Sequence, residues 1–406
     1  MNIDENIYNS MKNIIFIELC NFVDYPLGGH LTFAKHLAYA MQGDLDLVGI
    51  STVVSEPLRQ WYYKDIEGFR YRLYNVSWID RNITKPLVPA RITSFFHFRK
   101  CIKELQLEKY EHFVVQTPEI LLALPKKYLP KVLLVMPGVS NPLSISRYPY
   151  AKKFAAFYDK IFFKWASHVK ILLAAADKKA ISEFVERSKG VIVLEKVVQF
   201  PTRYDGNIFK LKDKCFLRNK YQIASNECMI VTTGRLNWFK GWKLMLDAFS
   251  IFEKKHPNSC FYFIGNGEDK ERIISYIEEK KLSGKVKLLG YLSLDVIADY
   301  LNMADLFVMG SFKEGWSTSL VEAVSCGAKC VVTAFSSAEE MVENGHNGFV
   351  LKDRNESLFA ESMSKALLLP LENVQEASLK IRRLAVQNLK EDFLKQYCVK
   401  LTFNRL

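Results

Sequence analysis

Short apolar runs recur along this chain, and segments with helical spacing separate them. In the first half the runs are NIIFIEL (13–19), LVGIS (47–51), FRYRLYN (69–75), HFVVQ (112–116), KVLLVM (131–136), HVKILL (168–173) and VIVLEKV (191–197). In the second half they are CMIVTT (228–233), CFYFIG (260–265), KVKLLG (285–290), DLFVMG (305–310) and KCVVTA (329–334). Several are apolar at every position, and a strand that is apolar on both faces must be covered on both, as in a parallel sheet flanked by helices. The clearest helical segment repeats Trp242, Met245, Phe249 and Phe252 before His256-Pro257 ends it. Such alternation predicts parallel strands joined by right-handed crossovers. At 406 residues the chain exceeds what one core holds. The pattern breaks between Phe200 and Asn219 into polar, turn-rich sequence. The expected fold is therefore α/β, with two doubly wound Rossmann-like domains over 1–205 and 206–377 and ligands bound in the cleft where their sheets face one another.

Charge is uneven. The net +12 resides in residues 51–200, which hold 25 Lys and Arg against 13 Asp and Glu, while the rest of the chain is balanced. A basic half predicts an anionic partner: nucleic acid, anionic lipid or an acidic small molecule. The eight cysteines include no Cys-x-x-Cys pair and mostly sit in apolar runs, the pattern of reduced core thiols in a cytoplasmic protein. Cys326 and Cys330 lack a His or a further Cys to complete a zinc set, so no metal is expected. The first residues are acidic with a short apolar run, unlike a signal peptide, and no run reaches the ~20 apolar residues of a membrane span.

The stretch EGWSTSLVEA sets two acids, Glu314 and Glu322, around an uncharged run in a basic chain. It follows the run DLFVMG and so falls at the carboxyl edge of a sheet, where doubly wound folds bind ligands. Ser319 and Glu322 match a capping box, a purely structural reading of Glu322. Glu314 precedes that helix and is expected to point into the cleft. The amides of Thr318, Ser319 and Leu320 at the helix start form an anion site. Carboxylates beside an anion suit a ligand whose neutral hydroxyls flank a phosphate, which describes a nucleotide sugar. Cations for the diphosphate are offered by TTGRLNWFKGW, where Arg235 and Lys240 lie between Gly234 and Gly241, although either could be a solvated surface charge. In the first domain Gly28 and Gly29 precede a helix with one apolar face. They read either as backbone near the diphosphate or as a tight turn.

Two other segments compete for attention. IGNGED (264–269) begins like a dinucleotide fingerprint, but Lys270 stands where the third glycine belongs, which argues against NAD. The segment 148–169 mixes Lys152, Lys153, Lys160 and Lys164 with aromatics. It reads as an interfacial helix on anionic lipid or as a core helix with snorkelling lysines, with the core reading favoured.

Taken together, G-R-L…K-G, F-I-G-N-G-E, A-D-L-F-V, the paired glutamates, EAVSCGAKCVV and ENGHNGFVL run in the order and spacing of one family between Gly234 and Leu351. The chain resembles the family-4, glycogen-synthase-like retaining glycosyltransferases of the GT-B fold. The resemblance implies that Arg235 and Lys240 hold the donor diphosphate, Glu314 contacts the transferred sugar as the catalytic residue, and Glu322 binds the ribose, with the amides near Thr318, Ser319 and Leu320 on the phosphates. It also implies Gly28 and Gly29 as the family's glycine turn, loops at Gly267 and Tyr291 on the base side, retention at the anomeric carbon, and no obligatory metal or other cofactor. A segment at about 378–402 resembles the helix that crosses back to the first domain. Pro137-Gly138 departs from the family's His-Gly, with His30 the candidate substitute, and Gly310 stands where the family often has Pro.

The expected activity is transfer of a hexose from a UDP- or GDP-sugar to a glycan or lipid-linked acceptor in surface polysaccharide or glycolipid synthesis. The basic first domain would suit an anionic acceptor and a peripheral position on the membrane's inner face. The alternatives are a nucleotide-sugar epimerase or hydrolase of the same fold, or a basic polyanion-binding protein, the latter without any nucleic-acid module to support it.

Overall fold

The computed structural model describes residues 13–26, 29–81, 90–144 and 149–395. The described residues form two compact units. One runs to Arg203 and takes in the chain again from Val386; the other is Tyr204–Ala385.

In the first unit the described strands are β1 (Ile14–Ile17), β2 (Asp46–Ser51), β3 (Trp61–Ile66), β4 (Phe69–Trp78), β5 (His112–Val115), β6 (Val132–Met136), β7 (Ile171–Ala174) and β8 (Val197–Gln199). They form one sheet in the order β3-β4-β2-β1-β5-β6-β7-β8, parallel except for the β3–β4 hairpin. Successive residues of β1 explain the two-sided cover. Ile15 and Ile17 enter one buried cluster, Ile14 and Phe16 another on the opposite face. The chain winds outward from β1 through β2, then restarts beside β1 at β5, which makes the β1–β5 junction the topological switch point.

The second unit repeats the plan with β9 (Cys228–Thr233), β10 (Ser259–Ile264), β11 (Val286–Gly290), β12 (Leu306–Met309), β13 (Lys329–Thr333) and β14 (Gly348–Leu351). Their order is β11-β10-β9-β12-β13-β14, all parallel, and its switch point lies between β9 and β12. The helix Trp242–Lys255 buries Trp242, Met245, Phe249 and Phe252, the spacing read from the sequence. That anchorage fixes the loop just before it.

Some elements differ from the sequence reading. The run at 69–75 is the second arm of a hairpin whose first arm, β3, went unread. Glu67 (φ 49) and Gly68 (φ 82) make the two-residue turn, a conformation that glycine tolerates best. The run at 191–197 contributes only Val197 to a strand, because Leu194–Lys196 forms a 3₁₀ turn and Val191 and Val193 are exposed. The segment 149–166 splits. Tyr150, Phe154 and Phe157 are exposed, while Ala151, Phe162, Phe163 and Ala166 are buried and Tyr158 and Trp165 pack against the core. Cys215 is exposed rather than a core thiol.

Near the C-terminal side, the helix Leu371–Ile381 stays in the second unit. Beyond Val386 the chain rejoins the first, where Leu389, Phe393 and Leu394 complete its core, Phe393 meets Phe200 edge-on and Asp392 pairs with buried Arg203 at 2.8 Å. Residues 396–402 of the expected crossing helix lie outside the described residues. No helix among the described residues is long and apolar enough to cross a membrane.

Candidate functional site

The carboxyl ends of β9 and β12 flank the switch point of the second domain, and the loops leaving them bring most of the singled-out residues together. After β9, Asn237 Oδ1 accepts from the Lys240 amide at 3.1 Å and caps a single 3₁₀ turn, Trp238–Lys240. Gly241 follows with φ +70, and a Cβ there would come within 1.8 Å of the Gly310 carbonyl oxygen. The close approach of these two loops therefore requires glycine at 241. It sets the Lys240 side chain toward the β12 loop, where Nζ meets Glu314 Oε1 at 2.7 Å, both groups largely withdrawn from water. A Cβ on Gly234 would lie 3.9 Å from both Lys240 Cε and Ser319 Oγ, so Gly234, Lys240, Glu314 and Ser319 converge.

The helix Thr318–Ser325 starts two residues earlier than the capping-box reading placed it. Its cap is Ser317, whose Oγ accepts from the Leu320 amide at 3.3 Å; Ser319 is already helical and does not cap it. Leu320 is thereby removed from the open amides, while those of Thr318 and Ser319 have no partner among the described residues. The reciprocal Glu322 bond of a capping box is absent as well. Glu322 shares a face with Ser319 one turn back, and its carboxylate has no hydrogen bond or ion pair among the described residues. Burial alone pushes that carboxyl up to about 8. A carboxyl so placed is a hydrogen-bonding group without a partner, ready for hydroxyls.

Arg235 is more loosely held. Its exposed guanidinium pairs with exposed Glu268 at 3.0 Å. Such pairs contribute about 0–1 kcal/mol, so the side chain can leave Glu268 for an anion at little cost. Gly267 has a structural task, since a Cβ there would fall 2.2 Å from the Leu236 carbonyl oxygen. The β10 loop folds against the β9 loop at that point. Tyr291, just beyond β11 and 73% exposed, stands at the same sheet edge. Gly29 opens the first-domain helix Gly29–Met41 with free space where a Cβ would lie, and Gly28 falls outside the described residues.

Two residues went unread. Arg354 donates to the carbonyls of Gly310 (2.8 Å) and Ser311 (3.1 Å) and stacks on Phe312 at 3.6 Å, which holds the loop that carries Glu314. Asp269, buried, accepts from Trp242 Nε1 at 3.0 Å and from Arg272 at 2.7 Å, tying the β10 loop to the helix after Lys240. Their signals, an Arg after the last strand and the Asp ending IGNGED, have meaning only once the strands are assembled. Among the described residues no group of three or more His, Cys, Asp or Glu could hold a metal ion.

Residues 213–383 match the sequence family described as glycosyl transferases group 1. Among curated proteins the chain is 30% identical over 142 residues to the alpha-monoglucosyldiacylglycerol synthase of Acholeplasma laidlawii, covering 35% of each chain. It is 26% identical over 258 residues to an uncharacterised glycosyltransferase of Methanocaldococcus jannaschii, covering 61% of this chain and 59% of that one. The match thus spans less than two thirds of either relative. Solved structures align over nearly the whole chain. A sucrose-phosphate synthase from Thermosynechococcus elongatus superposes with a TM-score of 0.75 at 13% identity, over 96% of this chain and 99% of that one. An Anabaena protein in complex with UDP-glucose gives 0.68 at 16% identity, over 95% and 99%. The fold is that of the GT-B glycosyltransferases, and residues 213–383 are similar to glycosyl transferases group 1.

Proposed function

We propose that this chain is a retaining, family-4-type glycosyltransferase. It moves a sugar from a UDP- or GDP-sugar to a glycan or lipid-linked acceptor. The observation that carries the reading is the Lys240–Glu314 pair at the β9–β12 switch point, beside two open helix amides and a partnerless Glu322. In this reading the donor diphosphate lies on the amides of Thr318 and Ser319. Lys240 and Arg235 balance its charge, so that the leaving diphosphate is stabilised without a divalent metal. Glu322 accepts from the ribose hydroxyls. Glu314, held by Lys240, faces the transferred sugar. Gly267 and Tyr291 border the base, and Gly28 and Gly29 approach the diphosphate with backbone alone. The solved complex of the Anabaena protein with UDP-glucose supports a nucleotide-sugar donor for the shared fold.

For the acceptor side, the exposed aromatics Tyr150, Phe154 and Phe157 alternate with exposed Lys152, Lys153 and Lys160. That composition supports a segment lying on an anionic membrane surface, where apolar rings enter the headgroup region and lysines meet lipid charge.

Calorimetric titration of the purified protein with UDP, GDP, ADP and NAD in EDTA tests the donor reading. One nucleoside diphosphate is expected to bind, and Lys240→Ala and Glu322→Ala to weaken it. Binding only with a divalent ion would end the metal-free mechanism, and binding of none would end the transferase reading. Product analysis with the donor so named distinguishes transfer from epimerisation or hydrolysis.

A further inference from the structure

The second domain holds a cavity for which the donor reading has no use. It lies between the β9 and β12 loops and the helices Trp242–Lys255 and Lys270–Glu279. Its volume of about 770 Å³ is that of a small-molecule site. None of Arg235, Lys240, Glu314, Ser319 or Glu322 lines it. Two rings of the lining are open to water, Trp238 at 59% and Phe312 at 49% exposure, with centroids 5.4 Å apart. Large apolar rings that converge on one cavity while exposed are the informative exception on a protein surface. Two further rings are fixed in place. Trp242 Nε1 donates to buried Asp269 at 3.0 Å, and the Tyr276 hydroxyl donates to Asp247 at 2.6 Å and accepts from Lys243 at 2.8 Å. Rings held this way lose little freedom when a ligand settles on them.

Charge narrows what the ligand is. The lining cations are committed: Lys243 pairs with Asp247 at 3.0 Å, Arg272 with Asp269 at 2.7 Å, and Arg354 with the carbonyls of Gly310 and Ser311. An anion would find no spare cation there and would face Glu271, Glu279 and Glu356. A cationic ligand would have to displace Arg354, whose guanidinium already covers one face of Phe312. A neutral ligand meets neither obstacle. On the helix Lys270–Glu279 the exposed side chains of Glu271, Ser275 and Glu279 follow one another at single-turn intervals, about 6 Å apart along the axis. The two carboxylates have no hydrogen bond or ion pair among the described residues. The Ser275 hydroxyl donates to the Glu271 carbonyl, which leaves its oxygen as an acceptor. Rings on one wall and a ladder of acceptors on the other match a sugar chain, whose C–H faces cover aromatic carbon while its hydroxyls donate to carboxylates.

We propose that this cavity is a second carbohydrate site, which holds a neutral oligosaccharide with its C–H faces on Trp238 and Phe312 and its hydroxyls on Glu271, Ser275 and Glu279. The transferase reading gives the site its use, as a hold on the glycan being handled, but the test does not depend on that reading.

The test uses the full chain labelled with 5-fluorotryptophan, with the Trp238 fluorine signal assigned by its loss in Trp238→Ala. The probes are maltotetraose, cellotetraose, mannotetraose and chitotetraose, and, separately, tetramethylammonium and inorganic phosphate. The expected result is a Trp238 signal that moves with at least one oligosaccharide and with neither ion. In calorimetry Trp238→Ala should weaken that oligosaccharide tenfold or more, and Glu271→Ala with Glu279→Ala severalfold. All three positions are exposed, so the variants should keep the urea midpoint of the unmodified chain. A response to neither class of probe, a response to an ion alone, or oligosaccharide binding undiminished by Trp238→Ala would overturn the proposal. Displacement of the oligosaccharide by a nucleoside diphosphate would overturn it too, by putting the sugar in the donor site. Oligosaccharide binding at Trp238 without binding of any nucleoside diphosphate would remove the donor assignment and leave this site standing. The reverse would remove only this site.

Discussion

At the scale of single residues, two acids set eight positions apart have different surroundings and so different tests. Glu314 is compensated by Lys240. Lys240→Ala leaves a mostly buried carboxylate alone, which is expected to cost about 1–3 kcal/mol in urea unfolding and to weaken nucleoside diphosphate binding by about tenfold or more. Glu322 has no cation, and burial raises its carboxyl to about 8, above the ordinary value. The folded state thus prefers the protonated form. This stability is fully present below the unfolded value near ~4.3 and is lost as pH rises through about 8. The melting temperature should fall between those limits, and Glu322→Gln should flatten that fall, by on the order of 2 kcal/mol at pH 9. A parallel pH dependence in both proteins would contradict the assignment. The sequence showed that both acids sit after a strand. It could not show which one has a partner, because Lys240 is 74 residues away from Glu314 in the chain and meets it only across two strands of the sheet.

Elements were legible where periodicity was unopposed, and less so where a short local bond decides. Strands such as β9, β10 and β12 stood out because parallel strands are apolar on both faces. β3 did not, since its exposed face, with Tyr63 and Asp65, dilutes the pattern, and the Glu67–Gly68 turn was the better signal. The helix at Thr318 was displaced because Ser317 and Ser319 are both good caps by type, and the capping-box spacing favoured the wrong one. Ser317→Ala should therefore lower stability by about 1 kcal/mol, and Ser319→Ala by much less, in denaturant unfolding. Equal losses would restore the sequence reading. Gly241→Ala faces both a positive φ and the Gly310 carbonyl and is expected to cost about 3 kcal/mol or more, whereas Gly284→Ala, with open space and no such φ, serves as the neutral comparison.

For the molecule as a whole, the uneven charge and the exposed aromatics of 150–157 make one prediction. Flotation with vesicles containing anionic phosphatidylglycerol should carry the protein, neutral phosphatidylcholine vesicles should not, and Phe154→Ser with Phe157→Ser should weaken flotation several-fold. Equal recovery on both lipids would discard the membrane reading. Leu389, Phe393 and Leu394 belong to the first domain's core, yet the whole of Tyr204–Ala385 precedes them in the chain. A ribosome makes a protein from one end, and domains generally close as they emerge. The second domain is continuous and can close as soon as it is free. The first can cover one face of its sheet with residues up to Val197, but the other face lacks Leu389, Phe393 and Leu394 until the chain beyond Ala385 is made. For that interval the uncovered face is apolar surface on the nascent chain, and the last part of the first half is written after the whole of the second.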